Sequence, residues 1–343
     1  MQTQDPNILL EVKNLKTYFF LDEGTVQAVE GVDFTMRRGS TLGIVGESGC
    51  GKSVTAMSIL QIVEKPGRIV EGSIILNRPN GGGPIDLASL DAGSAAMRQI
   101  RGDAIAMIFQ EPMNSLSPVH TIGNQIIEAI RLHRQMSEKE ARAHTIELLR
   151  LVGIPRAEQR IDSYTFQLSG GMRQRAMIAM ALSCNPLLLI ADEPTTALDV
   201  TTQAQILELM KSLQDQFGMG IMLITHDLGV VAEMCDEVVV MYLGEVVEQS
   251  NVDDLFHDPK HPYTQALLRS IPRLGAGRTQ ALNPIEGSVP DPFNRPSGCS
   301  FYPRCEYFMA GKCDVIHPDL IELSDGRMVR CLLYGTEGAG NHG

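Results

Sequence analysis

The sequence predicts an α/β fold with a mixed sheet at its core, and three observations support this prediction. Short apolar runs of the kind that is buried in a parallel sheet recur along the chain, separated by helical patterns. Two segments near the N-terminus alternate between apolar and polar residues, as antiparallel strands do. A glycine-rich turn follows the first apolar run and opens a helix. The apolar runs are residues 41–45, 104–109, 187–191 and 221–225.

The antiparallel part of the fold is predicted from residues 8–20 and 25–35, with Gly24 in the turn between them. Tyr18 lies near the end of the first strand. An aromatic ring there could stack on a purine base, and it could equally be an ordinary strand residue. The sequence leaves both readings of Tyr18 open at this point.

The glycine-rich turn after residues 41–45 fits the pattern G-x-x-x-x-G-K-[ST]. Its glycines allow successive N–H groups to converge on phosphate oxygens, and the following helix directs its positive end at the same anion. Lys52 adds a positive charge, and the hydroxyl of Ser53 offers a ligand for Mg²⁺. The expected phosphate-binding residues are Gly46, Glu47, Ser48, Gly49, Cys50, Gly51, Lys52 and Ser53.

A helical insert is predicted between two strands of the sheet, at about residues 111–180. The strand at 104–109 ends in Gln110, after which prolines break the chain. Isoleucines then recur at helical spacing, and Ser137 with Glu140 forms a capping box for a second helix. A separate glycine-proline stretch, residues 79–84, is predicted to be a surface loop.

A second glycine turn opens a helix at residues 168–175, and this geometry also suits an anion. No Lys-Ser pair follows it, so it is not a second phosphate loop. The buried strand at 187–191 then ends in Asp192 and Glu193, at the edge where α/β sheets bind ligands. Asp192 suits a hold on Mg²⁺, and Glu193 suits a base that polarises water. Adjacent acids after a strand are otherwise usually solvated, but the apolar strand and the phosphate loop upstream argue against that.

The last apolar run, residues 221–225, ends in His226. A lone histidine is more often structural than catalytic, because it packs and hydrogen-bonds well. Its place at the carboxyl end of a sheet strand, beside the expected phosphates, favours a functional role for His226.

Composition limits the class of protein. The chain has 343 residues with 29 basic and 41 acidic side chains, a formal net charge of −12, which argues against duplex nucleic acid as the main partner. No apolar run approaches the ~20 residues needed to span a bilayer. The N-terminus lacks the basic start and apolar core of a signal peptide. We therefore expect a cytoplasmic protein whose membrane role, if it has one, comes through partner chains.

A change in composition places a domain boundary near residue 255. Nine of the 18 prolines and four of the seven cysteines lie beyond it. We expect a main domain at 1–255 and a small extension at 256–343.

Taken together, these motifs resemble the ATP-binding cassette (ABC) ATPases over nearly all of residues 8–250, with P-loop NTPase architecture. The resemblance identifies 46–53 as the Walker A motif, Gln110 as the Q-loop residue that also binds Mg²⁺ with Ser53 and Asp192, and Glu193 as the catalytic acid. The remaining assignments are the signature with Ser169, Gly170 and Gly171, the D-loop 197–199 with Asp199, the switch histidine His226, and Tyr18 as the adenine-stacking residue.

The resemblance further implies that two cassettes sandwich ATP head to tail, each signature completing the other's site. One departure is Met172, where the usual signature has Gln. It leaves open whether the site that this signature completes in the partner is fully active.

A finer resemblance is to the ATPase subunits of bacterial dipeptide and oligopeptide importers. It rests on residues 108–118 and 168–175, and above all on 261–268 and 298–305 in the extension. Such importers pair two related ATPases, as a heterodimer, with two membrane permease subunits and a substrate-binding protein. Close relatives carry nickel, glutathione, opines or oligosaccharides, and the solute is selected elsewhere in the complex.

The cysteines of the extension, Cys299, Cys305, Cys313 and Cys331, have the spacing C-x5-C-x7-C-x17-C. There is no C-x2-C pair as zinc sites usually have, and disulfides are disfavoured in the cytosol. Resemblance to the importer family implies a [4Fe-4S] cluster on these four thiolates. Zinc, or no ligand at all, remains an alternative.

Two rival functions belong to other classes. One is a soluble cassette protein of DNA repair or translation, against which the acidic charge and the single cassette weigh. The other is a metal-dependent regulator in which the extension is the sensor.

Overall fold

A computed structural model describes residues 5–79, 83–110, 115–196, 198–270 and 285–335. Several parts of the sequence expectations lie outside these residues, namely the tip of the loop at 80–82, the stretch 111–114 after Gln110, Ala197 of the D-loop, and residues 271–284 and 336–343 of the extension. The chain forms two compact units. Unit 1 comprises Met1–Leu10, Met36–Thr41 and Leu76–Ile224, and unit 2 comprises Glu11–Thr35, Leu42–Ile75 and Thr225–Gly343.

The elements of the described chain follow in order. The strands are β1 (Ile8–Leu21), β2 (Gly24–Arg37), β3 (Thr41–Val45), β4 (Gly67–Asn77), β5 (Pro84–Asp86), β6 (Ile105–Ile108), β7 (Leu188–Asp192), β8 (Gly220–Ile224), β9 (Glu237–Tyr242), β10 (Glu245–Asn251), β11 (Ile321–Glu322) and β12 (Met328–Val329). The α-helices are α1 (Lys52–Ile59), α2 (Ala95–Ile100), α3 (Ile122–His133), α4 (Glu138–Leu151), α5 (Ala157–Arg160), α6 (Gly170–Leu182), α7 (Val200–Phe217), α8 (Leu228–Met234), α9 (Val252–His257) and α10 (Pro262–Arg269).

Unit 1 contains three parallel strands, β6, β7 and β8, paired in that order. Every residue of β7 and β8 is buried, as expected for strands that are covered on both faces. Ile108 pairs with Ala191, and Asp192 pairs with Ile224, so the carboxyl ends of the three strands meet at one edge. This confirms the parallel sheet that the apolar runs predicted.

The helical insert of unit 1 is confirmed in its described residues. Helices α3, α4 and α6 pack against one another, and the isoleucines of α3 supply the buried face. The Ser137 side chain caps α4, and the Glu140 carboxylate accepts a hydrogen bond from the Ser137 N–H. Together they form the capping box expected from the sequence.

Unit 2 contains a mixed arrangement of strands. β3 runs parallel to β9, while β10 pairs antiparallel with β9 and with β12. Strands β1, β2 and β4 are neighbours in the order β2-β1-β4, and β1 and β2 match the two alternating segments of the sequence to within two residues. Strands β9 and β10 were not predicted.

The extension adds to unit 2 at its sheet and at an aromatic cluster. Val329 of β12 pairs with Glu248 of β10. Tyr242, Tyr263 and Phe301 are each at most 2% exposed, with ring centroids 4.7 to 5.4 Å apart. Burying three large rings supplies much of the apolar contact that orders this end of the chain. Among the described residues, no helix is both long and apolar enough to cross a bilayer.

Candidate active site

The expected phosphate loop joins β3 to α1 in unit 2, and its backbone requires glycine at two positions. Gly46 has φ of 150° and Gly51 has φ of 98°. A Cβ on Gly46 would lie 2.2 Å from the carbonyl oxygen of Met241, and one on Gly51 would lie 2.3 Å from that of Ala28. Any side chain at these positions would therefore be excluded by conformation and by space.

Lys52 is 7% exposed and lies against the loop that precedes it. Its Nζ donates to the carbonyl oxygens of Gly46 at 2.8 Å and Glu47 at 3.0 Å. The Cys50 sulfur lies 3.7 Å from the same nitrogen, and burial raises the pKa of that thiol, so Cys50 packs as a small apolar group. Ser48 and Gly49 are exposed at the outer edge of the loop, and Ser53 is half-buried at the start of α1.

Glu47 of the loop is held by residues of the extension. Arg304 donates from Nη1 to one carboxylate oxygen at 2.7 Å and from Nη2 to the other at 3.0 Å. The Glu47 N–H donates to the hydroxyl of Tyr263 at 2.8 Å. Sequence reasoning named Glu47 but neither partner, although both lie in the motifs that indicated the importer resemblance.

Tyr18 is half-buried on β1 of unit 2. Its hydroxyl donates to Glu30 Oε2 at 2.5 Å. Burial, together with this hydrogen bond, raises the pKa of Tyr18 to about 12. The hydroxyl is thus engaged at one end of the ring, and the adenine-stacking role of the ring stays a prediction.

Gln110 and Glu193 lie together in unit 1. Gln110 Nε2 donates to Glu193 Oε2 at 3.0 Å, and Thr196 Oγ1 donates to the same oxygen at 2.9 Å. Glu193 has φ of 47°, an uncommon value for a residue with a side chain, and its N–H donates to the Ile224 carbonyl at 2.8 Å. Strained backbone of this kind concentrates at functional sites, so the conformation motivates a catalytic role for Glu193.

Asp192 is the last residue of β7 and is 3% exposed. A buried carboxylate at this edge of the sheet offers the hard oxygen that Mg²⁺ prefers. The structure therefore places the two adjacent acids differently, with Asp192 within the sheet edge and Glu193 half-buried just beyond it.

The signature segment forms the N-terminus of α6 in unit 1. Ser169 is the N-cap residue and accepts from the Met172 N–H at 3.4 Å, with Gly170 and Gly171 in the first turn. Gln174, on the next turn, is buried, and its Nε2 donates to the Pro194 carbonyl at 2.5 Å. The signature helix is thus connected to the segment that follows the acid pair.

Asp199 is the N-cap residue of α7. It accepts from the Thr202 N–H at 3.0 Å and from the Thr202 hydroxyl at 2.7 Å, and these bonds lower the pKa of its carboxyl. A Cβ on Gly171 would lie 2.9 Å from Thr202 Cγ2, so the signature and the start of α7 are neighbours. Two predicted residues of the partner-facing surface, Gly171 and Asp199, are therefore close to the same threonine.

His226 is exposed in unit 2, directly before the helix α8. The Thr225 N–H donates to the Ile44 carbonyl of β3 at 3.3 Å. Asp227 caps α8 by accepting from the Gly229 N–H at 2.9 Å. His226 therefore lies between Thr225, which is bonded to the strand that leads into the phosphate loop, and Asp227, which caps α8.

The four cysteines of the extension line one small cavity, of about 10 Å³, and none forms a disulfide. Burial raises the pKa of Cys299 to about 11 and that of Cys331 to about 12, and the neighbouring thiols add to both shifts. Among the described residues, no group of three or more His, Cys, Asp or Glu side chains is arranged to hold a metal ion. The structure brings the four cysteines together around one cavity, but the described residues do not support the expected cluster or a zinc site.

Two family models match the chain. Residues 29–196 match the model described as "ABC transporter", and residues 247–313 match "Oligopeptide/dipeptide transporter, C-terminal region". The first match covers the motifs from the phosphate loop to the acid pair, and the second covers the cysteine-rich extension as far as Cys313.

Curated relatives match along nearly their whole lengths. The oligopeptide transport ATP-binding protein AppD of Bacillus subtilis is 55% identical over 96% of this chain and 98% of its own. The dipeptide transport ATP-binding protein DppD of Haemophilus influenzae is 47% identical over 94% of each chain.

Solved structures with the same fold are cassettes too. One is a dimeric ATP-binding cassette, MJ0796, in a post-hydrolysis state bound to ADP and Pi, with a TM-score of 0.62 and 28% identity over 71% of this chain and 99% of that one. Another is cbiO1 of Clostridium perfringens, part of an ABC transporter complex, with a TM-score of 0.60 and 29% identity over 74% of this chain and 92% of that one.

Proposed function

The chain belongs to the ABC transporter family of ATPases, and from that membership we propose that it is the ATP-hydrolysing subunit of a bacterial importer of di- and oligopeptides. The observation that carries the proposal is one chain that matches both the ABC transporter model and the C-terminal region of oligopeptide/dipeptide transporters. The names of the relatives, which are oligopeptide and dipeptide transport proteins, support the peptide class.

The residues present fit ATP and Mg²⁺. The carbonyl oxygens of Met241 and Ala28 occupy the space that side chains would need at Gly46 and Gly51. Glycine at these positions permits the turn whose N–H groups can converge on phosphate. Ser53, Asp192 and Gln110 would hold the Mg²⁺, and all three offer oxygen ligands. When bound, Mg²⁺ neutralises charge that develops on the phosphate oxygens.

We assign the proton transfer to Glu193. The bonds from Gln110 and Thr196 fix its carboxylate, so that a base is already oriented when water attacks the γ-phosphate. Lys52 binds the β- and γ-phosphates, and His226 contacts the γ-phosphate from the end of β8. Tyr18 stacks on the adenine.

We propose that the active unit is a pair of cassettes, formed with a homologous second ATPase. Ser169, Gly170, Gly171 and Asp199 face the nucleotide of the partner, and the closeness of Gly171 and Asp199 to Thr202 supports a common surface. Turning a dimer from mostly open to mostly closed needs about 5.5 kcal/mol of differential binding, which two buried nucleotides can supply.

We place the chain at the cytoplasmic face of the membrane, bound to two permease subunits and served by a substrate-binding protein. Residues 1–255 form the cassette, with its helical subdomain at about 111–180, and 256–343 form the extension. Because the solute is selected by the other subunits, this chain supplies energy to transport and does not set specificity.

For the extension we propose a [4Fe-4S] cluster on Cys299, Cys305, Cys313 and Cys331, with zinc as the alternative metal. The convergence of four reduced thiols on one cavity supports the proposal. Anaerobic purification with iron, sulfide and zinc analysis tests it. Equal iron and sulfide that are lost in Cys305→Ser would support the cluster, and a colourless protein without metal would refute it.

The proposed transport function is tested on the complete transporter in proteoliposomes. Peptides added with the binding protein should stimulate ATP hydrolysis and accumulate in the lumen. Stimulation only by nickel, glutathione, an opine or an oligosaccharide would contradict the peptide assignment and leave the ATPase standing. Absence of ATP hydrolysis under every condition would refute both.

A further inference from the structure

Arg304 of the extension forms an ion pair with Glu47 of the phosphate loop, 257 positions away in the sequence. The arginine of this pair is buried, and the glutamate is half-buried. The Arg304 side chain is 3% exposed, while that of Glu47 is 26% exposed. Both guanidinium Nη atoms bond the carboxylate, at 2.7 and 3.0 Å. Loss of one partner of such a pair leaves a buried charge without compensation, unlike the loss of a surface ion pair.

Arg304 is itself fixed by the residues around it. Its Nε donates to the Glu286 carbonyl at 3.0 Å, and its Nη1 lies 3.4 Å from the Tyr242 hydroxyl. Burial acts to lower the pKa of Arg304, but the hydrogen bonds that it donates to Glu47 and Tyr242 raise it above its usual value. The guanidinium is therefore a rigid, charged anchor.

A second contact from the extension fixes the backbone of the same loop residue. The Glu47 N–H donates to the Tyr263 hydroxyl at 2.8 Å, and the Tyr263 side chain is fully buried against Tyr242 and Phe301. Lys52 in turn donates to the Glu47 carbonyl oxygen. The side chain and both backbone polar groups of Glu47 are thus engaged, two of the three by the extension.

We propose that Arg304 and Tyr263 are positioning residues for the phosphate loop, so that the extension sets the affinity of the cassette for ATP. This inference rests on the proposed ATPase function. Each residue acts through Glu47, with which both form hydrogen bonds. Because the loop binds the phosphates in the ground state and the transition state alike, a misplaced loop raises KM more than it lowers kcat.

The test measures ATP binding and steady-state hydrolysis of the full-length protein. Arg304→Gln should raise the Kd and KM for ATP about tenfold, with kcat within about threefold, and Arg304→Lys should recover part of the loss. The matched control is Arg269→Gln, which breaks the more exposed Arg269–Glu306 pair of the same extension and should leave both constants unchanged. An unchanged KM in Arg304→Gln would overturn the proposal.

A gentler variant covers the case in which Arg304→Gln does not fold. Tyr263→Phe removes only the hydroxyl and should raise KM about threefold, since the Glu47 N–H loses its acceptor. Tyr334→Phe, which removes a hydroxyl bonded to the Lys260 carbonyl, is its control. Equal KM values for the two variants would contradict the role of Tyr263.

Two further measurements separate this inference from the proposed function. When Glu47→Gln is already present, adding Arg304→Gln should raise KM little further, because either change alone removes the same ion pair. Lys52→Ala should abolish ATP binding whether or not Arg304 matters. Unchanged binding in Lys52→Ala would refute the phosphate loop itself, whereas its loss beside an unaffected Arg304→Gln would refute the positioning role alone.

Discussion

Glu47 and Glu193 both follow a buried core strand, and their carboxylates accept hydrogen bonds from different kinds of donor. Glu47, after β3, accepts two bonds from the Arg304 guanidinium. Glu193, after β7, accepts from the Gln110 amide and the Thr196 hydroxyl. Arg304 is a charged donor that holds its carboxylate in an ion pair, whereas the two donors to Glu193 are neutral groups that orient the carboxylate by hydrogen bonds alone. The roles that we propose, an anchor for Glu47 and a base for Glu193, therefore differ by the bonding partner and not by the residue type or its place after a strand.

The largest expected effect tests the base. Glu193→Gln should lower turnover by roughly two to four orders of magnitude with ATP affinity retained, since the amide cannot take the proton. Single-turnover hydrolysis and equilibrium binding of MgATP measure the two quantities. Glu208→Gln, on the exposed face of α7, is the control. Hydrolysis like that of the wild type in Glu193→Gln would remove Glu193 from the chemistry.

The next largest effect tests how strongly the backbone geometry of the phosphate loop depends on glycine. Gly46→Ala would place a Cβ 2.2 Å from a carbonyl oxygen at φ of 150°, and should lower the free energy of unfolding by about 3 kcal/mol. Gly49→Ala, at φ of 79° with open space around it, should cost only about 1 kcal/mol. Urea unfolding compares the two. Equal losses would mean that the close approach at Gly46 is unimportant.

The free energy of unfolding should also depend on pH through His261. This residue is the N-cap of α10, the helix that carries Tyr263. Burial lowers the pKa of His261 to about 3. Below pH 6.5 the unfolded state binds the extra proton, so the free energy of unfolding should fall by about 2 kcal/mol between pH 6.5 and 5.

The matched variant for this pH effect is His261→Asn, which offers an amide oxygen in place of the capping Nδ1 and should lose this slope in denaturant unfolding. Burial raises the pKa of the neighbouring Glu248, whose contribution has the opposite sign and cancels in the difference between the two proteins. Identical slopes would contradict the assignment to His261.

The smallest expected effect tests the hydrogen bond that Thr196 donates to Glu193. Thr196→Val keeps the shape of the side chain but removes the hydroxyl that donates to Glu193. Turnover should fall about tenfold, equivalent to about 1.4 kcal/mol, without a change in ATP affinity. Thr196→Ser should keep most of the activity. A rise in KM at constant kcat would instead place Thr196 in nucleotide binding.

The sequence predicted what depends on local pattern. The parallel strands β6, β7 and β8, the capping box at Ser137 and the glycine loop all follow from residue spacing over a few positions. Strands β9 and β10 were missed, because no polar site residue marks their ends.

The contacts that hold Glu193 and Glu47 in place were not predictable from residue spacing. Thr196 lies close to Glu193 in the chain, but nothing in its type distinguishes it from other threonines. Arg304 and Tyr263 reach Glu47 only through the tertiary fold, which periodicity does not encode. Likewise the family resemblance implied one shared site for the four cysteines, and their spacing could not specify a metal.

The separation of Glu47 from Arg304 has a consequence for biosynthesis. A ribosome adds roughly 5–20 residues per second, so the 257 residues that follow Glu47 up to and including Arg304 take on the order of 10–50 s to make. The nascent cassette therefore leaves the ribosome with its loop glutamate lacking the guanidinium partner. A chain that stops short of residue 304 would keep that unfinished loop permanently, which makes completion of translation a condition for the mature form of the phosphate loop.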